Sequence, residues 1–339
     1  MDFIQSKLWD AKAHRYKQSW PVQEKALPYE FMWGDGVAFS ALVGGYKQDP
    51  KKYGPLLAQF FDGLQGYWDK DAPIPGYDAY LSSPDGDDKY YDDNAWMVIT
   101  FTEAYKLTRE RRYLDRAVET MKYVLSGWDD KLGGGIYWRQ DKKGKNTCSN
   151  GPSATAALAL AEFVNKKTYV DWAERIVAWT NKNLQSPEGT FWDNLNLDGK
   201  VEKTKWTYNT ALMLRANLDL YRFTKKRAYL DEAKRIARAS EKEFVNPRTN
   251  AFRDDALFSH LLVEAYLDLY KQTKEPYLLD RAKANAEFAW TKLRDDKDGG
   301  FWSKWDIVPN RKEDRKKLIE NVSVARMFWL LADVSDSKA

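Results

Sequence analysis

Asp92 and Asp93 stand side by side in DKYYDDNAWM, at the point where the apolar run AWMVITFTEAY begins. An aspartate at such a point is an ordinary helix cap, because it accepts from free backbone N–H groups and meets the positive end of the helix dipole. That accounts for one of the pair. The second gains less and is repelled by the first. Adjacent side chains at a helix start diverge, which can set their carboxyl groups about 5 Å apart, the spacing used by glycosidases that retain configuration. The dipole then favours ionisation of one carboxylate, as a nucleophile requires, and repulsion keeps the proton on the other, as a general acid requires. Such a pair titrates as one coupled system. The Tyr and Trp residues around it are the types on which sugar C–H faces stack. The pair points to carbohydrate chemistry and does not name the sugar.

Other aspartate pairs calibrate this reading. Asp129–Asp130 and Asp295–Asp296 follow amphipathic segments and precede Gly-rich turns, which is turn chemistry. Asp87–Asp88 lies in the polar loop SPDGDDKY and reads as solvated. Asp254–Asp255, in AFRDDALF, opens another apolar helix and is the positional rival. Arg253 beside it favours a fixed, ionised, substrate-holding role over proton transfer.

Composition narrows the function classes. The chain has 54 Lys plus Arg against 50 Asp plus Glu, a net charge of +4 over 339 residues, and its longest basic run, NRKEDRKKL, carries its own acids. No nucleic-acid footprint is present. One cysteine and two histidines rule out a disulfide framework and disfavour a Cys- or His-rich metal centre, so neither a metal nor a cofactor is expected. No apolar stretch is long enough to span a bilayer. The polar start MDFIQSKLWDAKAH is not a signal peptide as it stands. A polymeric substrate would imply a secreted, periplasmic or cell-surface enzyme whose signal has been removed. The chain carries 15 Trp, 20 Tyr and 15 Phe, enough to build a core and to line a stacking cleft.

The elements that would position the pair form an internal repeat. Segments opening at Tyr53, Tyr113, Tyr169, Tyr229 and Tyr277 are amphipathic at helical spacing, with offsets of 60, 56, 60 and 48 residues. Between them lie GVAFSALVGGY, DNAWMVITFTEAYKL, GPSATAALALAEFV, YNTALMLRANLDLYRF, ALFSHLLVEAYLDLY and NVSVARMFWLLADV, apolar over most of their circumference and therefore buried. With FIQSKLWDAKAHRY as a sixth outer helix, the pattern predicts an all-α (α/α)6 barrel of six inner and six outer helices, one catalytic domain over 1–339. Inner-to-outer turns are short. The return loops, such as DDKLGGGIYWRQ, SPEGTFWDN and DDKDGGFWSKW, carry Gly turns and aromatic β-hairpin scraps, and all fall at the face where the inner helices begin.

YYDDNAWM, with GGGIYWRQDKKGKNTCSNGPSATAALAL, KWTYNTALMLRANLDLY and FRDDALFSHLLVEAYLDLY, resembles glycoside hydrolase family 76, the endo-α-1,6-mannanases, in order from about Trp33 to the last helix. The resemblance implies an (α/α)6 barrel that hydrolyses α-1,6-linked mannan or manno-oligosaccharides with retention. It places the nucleophile on Asp92 and the acid/base on Asp93. Trp33, Asp35, Tyr91, Trp138, Asn150, Trp206, Tyr208, Asp254 and Asp255 are expected to line the cleft, on loop position more than on motif. The competing readings are core packing for each Trp and helix capping for Asp35 and Asn150. His260, inside an apolar helix, reads as a hydrogen-bonded core residue, since a carboxylate pair needs no imidazole. Cys148 reads as an inert small residue. A monomer is expected. Two rivals stand beside this reading. One is a sugar epimerase on the same barrel, disfavoured by the scarcity of histidine. The other is a non-catalytic mannan-binding homologue, disfavoured by the intact aspartate pair.

Overall fold

The computed structural model describes residues 1–23, 27–81, 88–303 and 314–336. Its first six α-helices are α1 (Met32–Gln48), α2 (Pro50–Leu64), α3 (Tyr91–Thr108), α4 (Arg111–Ser126), α5 (Thr147–Ala161) and α6 (Lys166–Leu184). They are followed by α7 (Thr207–Thr224), α8 (Arg227–Phe244), α9 (Ala256–Thr273), α10 (Pro276–Phe288) and α11 (Leu318–Asp336).

Odd- and even-numbered helices differ in kind. In α5 every side chain from Thr147 to Leu158 is buried, whereas α4 buries only the stripe Tyr113, Leu114, Ala117, Thr120, Met121, Tyr123 and Val124. An all-round apolar helix needs neighbours on every side, and a striped one needs a partner on one side only. Small residues let the buried helices approach closely. A Cβ added at Gly151 of α5 would meet the Leu212 Cβ of α7 at 2.7 Å.

The chain forms two compact units. Met1–Gly66 with Phe244–Ala339 holds α1 against α2 and α11, and α9 against α10 and α11. Tyr67–Glu243 holds α3 against α4 and α5, and α5 against α6 and α7. In both, an apolar helix passes through a tight turn to an amphipathic one. Three of these turns place a left-handed residue just past the helix: Arg109 (φ 62°), Lys225 (φ 60°) and Lys274 (φ 59°).

The loops that return from amphipathic to apolar helices share one device, a short antiparallel clamp. Trp68–Asp69 pairs with Gly76–Tyr77, Trp128 with Ile136, Gln185 with Phe191, Val245 with Phe252 and Arg294 with Phe301. The sixth case corrects a sequence expectation. FIQSKLWDAKAHRY is not a full outer helix: Ile4–Leu8 is helical, but Trp9–Asp10 then pairs with Arg15–Tyr16. The cause is Asp10, whose Oδ1 accepts from the N–H groups of Lys12 and Ala13 at 3.0 and 3.1 Å and so turns the chain. Asp87 and residues 310–313 of the basic run lie outside the described residues.

Candidate active site

The start of α3 is held from three sides. Asn94 in its first turn accepts from the Tyr77 N–H at 2.8 Å and donates to the Tyr77 and Tyr90 carbonyls at 3.0 and 2.8 Å. Lys89, buried two residues before the helix, forms ion pairs with Asp69 and Asp78. The Tyr91 N–H donates to the Trp138 carbonyl at 2.9 Å, which ties in the following loop. Asp92 and Asp93 therefore sit on a fixed backbone.

Their surroundings differ. Asp92 is partly exposed; its Oδ1 accepts from the Asp93 N–H at 3.0 Å and its Oδ2 from Trp138 Nε1 at 3.1 Å. Burial pushes the Asp92 carboxyl up to about 6, and these donors hold it from rising further. Asp93 is 9% exposed and stands well above the ordinary carboxylate range, through burial first and then the charges of Asp92 and Asp88. The two carboxyls share one environment, and deeper burial together with the Asp92 charge favours the proton on Asp93. A carboxylate beside a carboxylic acid can attack an electrophilic carbon on one side and protonate a leaving oxygen on the other.

The other expected residues divide. In the second unit, Trp138 is 44% exposed and packs edge-on against Tyr90, ring centroids 5.0 Å apart. Tyr208 and Trp206 are half-buried at the start of α7, where burial pushes the Tyr208 hydroxyl well above its ordinary range. Tyr91 and Asn150 do not line a cleft. Successive helical residues lie about 100° apart, so Tyr91 turns away from its neighbour Asp92 and stacks on Tyr123 at 4.9 Å, 3% exposed. Asn150 is fully buried; its Oδ1 accepts from the Ile136 N–H at 2.8 Å and its Nδ2 donates to the Ile136 and Asn146 carbonyls at 2.9 and 2.8 Å. It clamps the loop that carries Trp138.

In the first unit, Trp33 stacks on Phe258 at 5.7 Å, and Asp35 is buried beside Glu30, a carboxyl that burial and the Asp35 charge raise well above its usual range. Complete burial keeps Asp35 from presenting surface. Asp254 and Asp255 are half-buried ahead of α9, where the Asp254 carbonyl accepts from Ser259 Oγ at 2.6 Å. Arg253 lies over the Phe244 ring at 5.2 Å. His260 is buried with Nδ1 3.0 Å from the Ala256 carbonyl, and burial lowers it to about 4, so the imidazole is neutral.

Two residues were missed or misjudged from sequence. Cys148 is not inert filler: it is buried near Asp92, and burial and the Asp92 charge push its thiol up, so it stays neutral. Asp193 adds a third carboxylate in this neighbourhood, its charge felt by both Cys148 and Tyr208. Asn194 and Asn209 donate to it at 3.2 Å each, while burial raises it. Its signal was available in TFWDN, where a carboxylate directly follows the loop aromatic.

With this geometry in view, the comparisons with known proteins agree on a class. The profile of Glycosyl hydrolase family 76 matches residues 3–331. The chain belongs to that family. It is 32% identical over 169 residues to a mannan endo-1,6-α-mannosidase of Saccharomyces cerevisiae, covering 44% of this chain and 37% of that protein. A solved family 76 α-mannanase of Bacteroides thetaiotaomicron superposes with a TM-score of 0.92 at 27% identity, covering 99% of this chain and 94% of that one. A cellobiose 2-epimerase of Bacillus thermoamylovorans shares the fold at a TM-score of 0.78 and 14% identity, covering 96% and 95%. The fold is the (α/α)6 barrel type. The chain spans about half or less of the curated relatives it matches. No described helix is long and apolar enough to cross a membrane.

Proposed function

We propose that the protein is a retaining glycoside hydrolase that cleaves α-1,6-mannosidic linkages in mannan or its oligosaccharides. The single observation that carries the mechanism is the inequality of the adjacent carboxyls, Asp92 at about 6 and Asp93 well above its ordinary range, on one rigid helix start. Asp92 attacks the anomeric carbon as Asp93 protonates the departing glycosidic oxygen, which leaves a mannosyl ester on Asp92. Asp93, now a carboxylate, takes a proton from water as that water attacks the anomeric carbon, which breaks the bond to the Asp92 oxygen and releases Asp92 as a carboxylate. Trp138 offers an exposed indole face for a sugar ring, and Asp193 offers an acceptor for hydroxyls. The substrate class rests on the family and on the named activities of the yeast relative and the bacterial α-mannanase.

An epimerase is disfavoured: in the first unit the buried His260 is neutral and bonded to backbone, and in the second the paired acids are the groups placed to exchange protons. The test is incubation with linear α-1,6-mannan and analysis of the products. Short manno-oligosaccharides released in the α configuration support the reading. Tight binding without release would support a binding homologue instead.

A further inference from the structure

In the first unit, α11 is backed by α10 and by the helix Ile4–Leu8. The latter has only five residues, against thirteen in α10. A groove of about 520 Å³ opens here, walled by residues 1–4, by the loop after α10 and by α11 itself. Its lining is aromatic: Phe301 and Phe328 have ring centroids 6.3 Å apart, and Trp329 joins them. Trp290, which also lines it, is 54% exposed, the most exposed large apolar side chain among the described residues. The indole is nevertheless held. It stands on the π-helical turn Ala289–Leu293, a local geometry that recurs at functional sites. Phe328 packs against it at close to a right angle, 5.9 Å away, and the Arg294 guanidinium lies 4.6 Å from its ring centre. Arg294 is itself paired with Asp296 Oδ1 at 2.5 Å.

The charged residues of the groove are Arg294 and Lys297 against Asp2, Asp296 and Asp298, so neither sign dominates and no charged polymer is selected. A neutral ligand with an apolar C–H face and many hydroxyls suits both features. The ring takes the face, while carboxylates accept from hydroxyls and cations donate to them. We propose that this groove is a second, non-catalytic site for the polymeric substrate, in which Trp290 stacks on a mannosyl ring and Asp296 and Lys297 hold its hydroxyls. This rests on the reading of mannan as substrate. The volume falls within the range of small-ligand sites, roughly 300–1,000 Å³. The lining belongs wholly to the first unit and includes neither Asp92 nor Asp93, so occupancy leaves the chemical step untouched. A second contact with one polymer raises its local concentration at the enzyme. A ligand too short for two contacts gains nothing.

The test compares Trp290→Ala with its parent in two assays. Binding is read as retardation in native gels cast with linear α-1,6-mannan, with Asp92→Asn in both proteins so that the polymer survives. Catalysis is read on the same polymer and on α-1,6-mannotriose, with Asp92 intact. The alanine variant is expected to bind mannan roughly 3- to 10-fold more weakly and to show a KM for the polymer raised by a similar factor. Its kcat on the polymer and its rate on mannotriose should match wild type. Trp290→Phe, which keeps a smaller ring, should fall between the two. Equal retardation with and without Trp290 overturns the proposal. So does a wild-type dimer in sedimentation that Trp290→Ala dissolves, since the groove would then be a self-association face. Trp290-dependent retardation in a protein that cleaves no mannan would keep the sugar site and refute the assigned activity. Cleavage without such retardation would keep the activity and refute the site.

Discussion

Trp138 Nε1 donates to Asp92 Oδ2 over 3.1 Å while the same ring packs edge-on against Tyr90, 5.0 Å away. One exposed indole thus steadies the Asp92 carboxyl, the proposed nucleophile, and keeps part of its ring open to solvent. Trp138→Phe keeps an aromatic ring, smaller than the indole, and removes the donor. It should lift the acid limb of the kcat/KM profile and cut kcat/KM about 10-fold, the value of one such bond. Thermal stability should change little, since Trp138 is 44% exposed and Phe can keep the packing on Tyr90. An unmoved limb would show that the bond does not act on Asp92.

The carboxyl pair should cost the protein stability. Both groups hold protons more tightly folded than unfolded, so the folded state binds more protons between about pH 4, the ordinary Asp range, and about 6. Stability falls as pH rises through that window; the Asp92 share is complete above about 6, while the Asp93 share keeps growing at higher pH. Asp92→Asn should therefore stabilise the protein at pH 7.5 by on the order of 1 kcal/mol, discounted for the partial exposure of Asp92. Differential scanning fluorimetry from pH 3.5 to 8 should show that gain shrinking toward the acid end. A gain that instead grows toward acid would contradict the assignment.

Asn150 separates a loop clamp from a sugar contact. Asn150→Ala strips partners from buried groups of Ile136 and Asn146 and should cost roughly 2–3 kcal/mol of stability. A variant that melts like wild type but shows a raised KM would restore the cleft-lining role.

In the first unit, Arg326 Nη2 and Glu264 Oε1 form an ion pair 3.0 Å long, with side chains 5% and 7% exposed. Glu264→Gln leaves a buried guanidinium without its counter-charge and should cost roughly 3–5 kcal/mol. Denaturant unfolding measures this directly; a loss under 1 kcal/mol would mean that water reaches the pair.

Much of the scaffold was legible in the chain because burial differs in kind between the helices. Apolar residues all round α5 and a single stripe on α4 distinguish inner from outer before any coordinate is known. The aspartate pair was legible because two acids at one helix start exceed what capping needs. The direction of each side chain was not. Tyr91 precedes Asp92 by one residue yet faces Tyr123, because a helix turns its neighbours apart. Nor were the anchors that hold the loops. Asp129 and Asp295 are turn residues, their Oδ1 atoms accepting from Lys131 and Lys297 N–H at 3.1 and 3.0 Å. They also bind Lys145 and Lys316, at 2.7 and 2.8 Å, each lysine buried two residues before an apolar helix. Such pairs join residues 16 and 21 apart, and no local pattern reveals them. The short helix at Ile4–Leu8 was hidden for a similar reason: Asp10 ends it through a turn that an amphipathic pattern does not show.

The central claim is that Asp92 attacks while Asp93 moves the proton, and the anomeric configuration of azide adducts tests it most directly. Asp92→Ala and Asp93→Ala are each given an α-mannosyl substrate with an activated leaving group and excess azide, and the products are examined by proton NMR. With Asp93 removed, Asp92 still forms the mannosyl ester and azide displaces it, so α-mannosyl azide is expected. With Asp92 removed, azide takes the place of the nucleophile and β-mannosyl azide is expected. The same configuration from both variants, or the two configurations exchanged, would contradict the account.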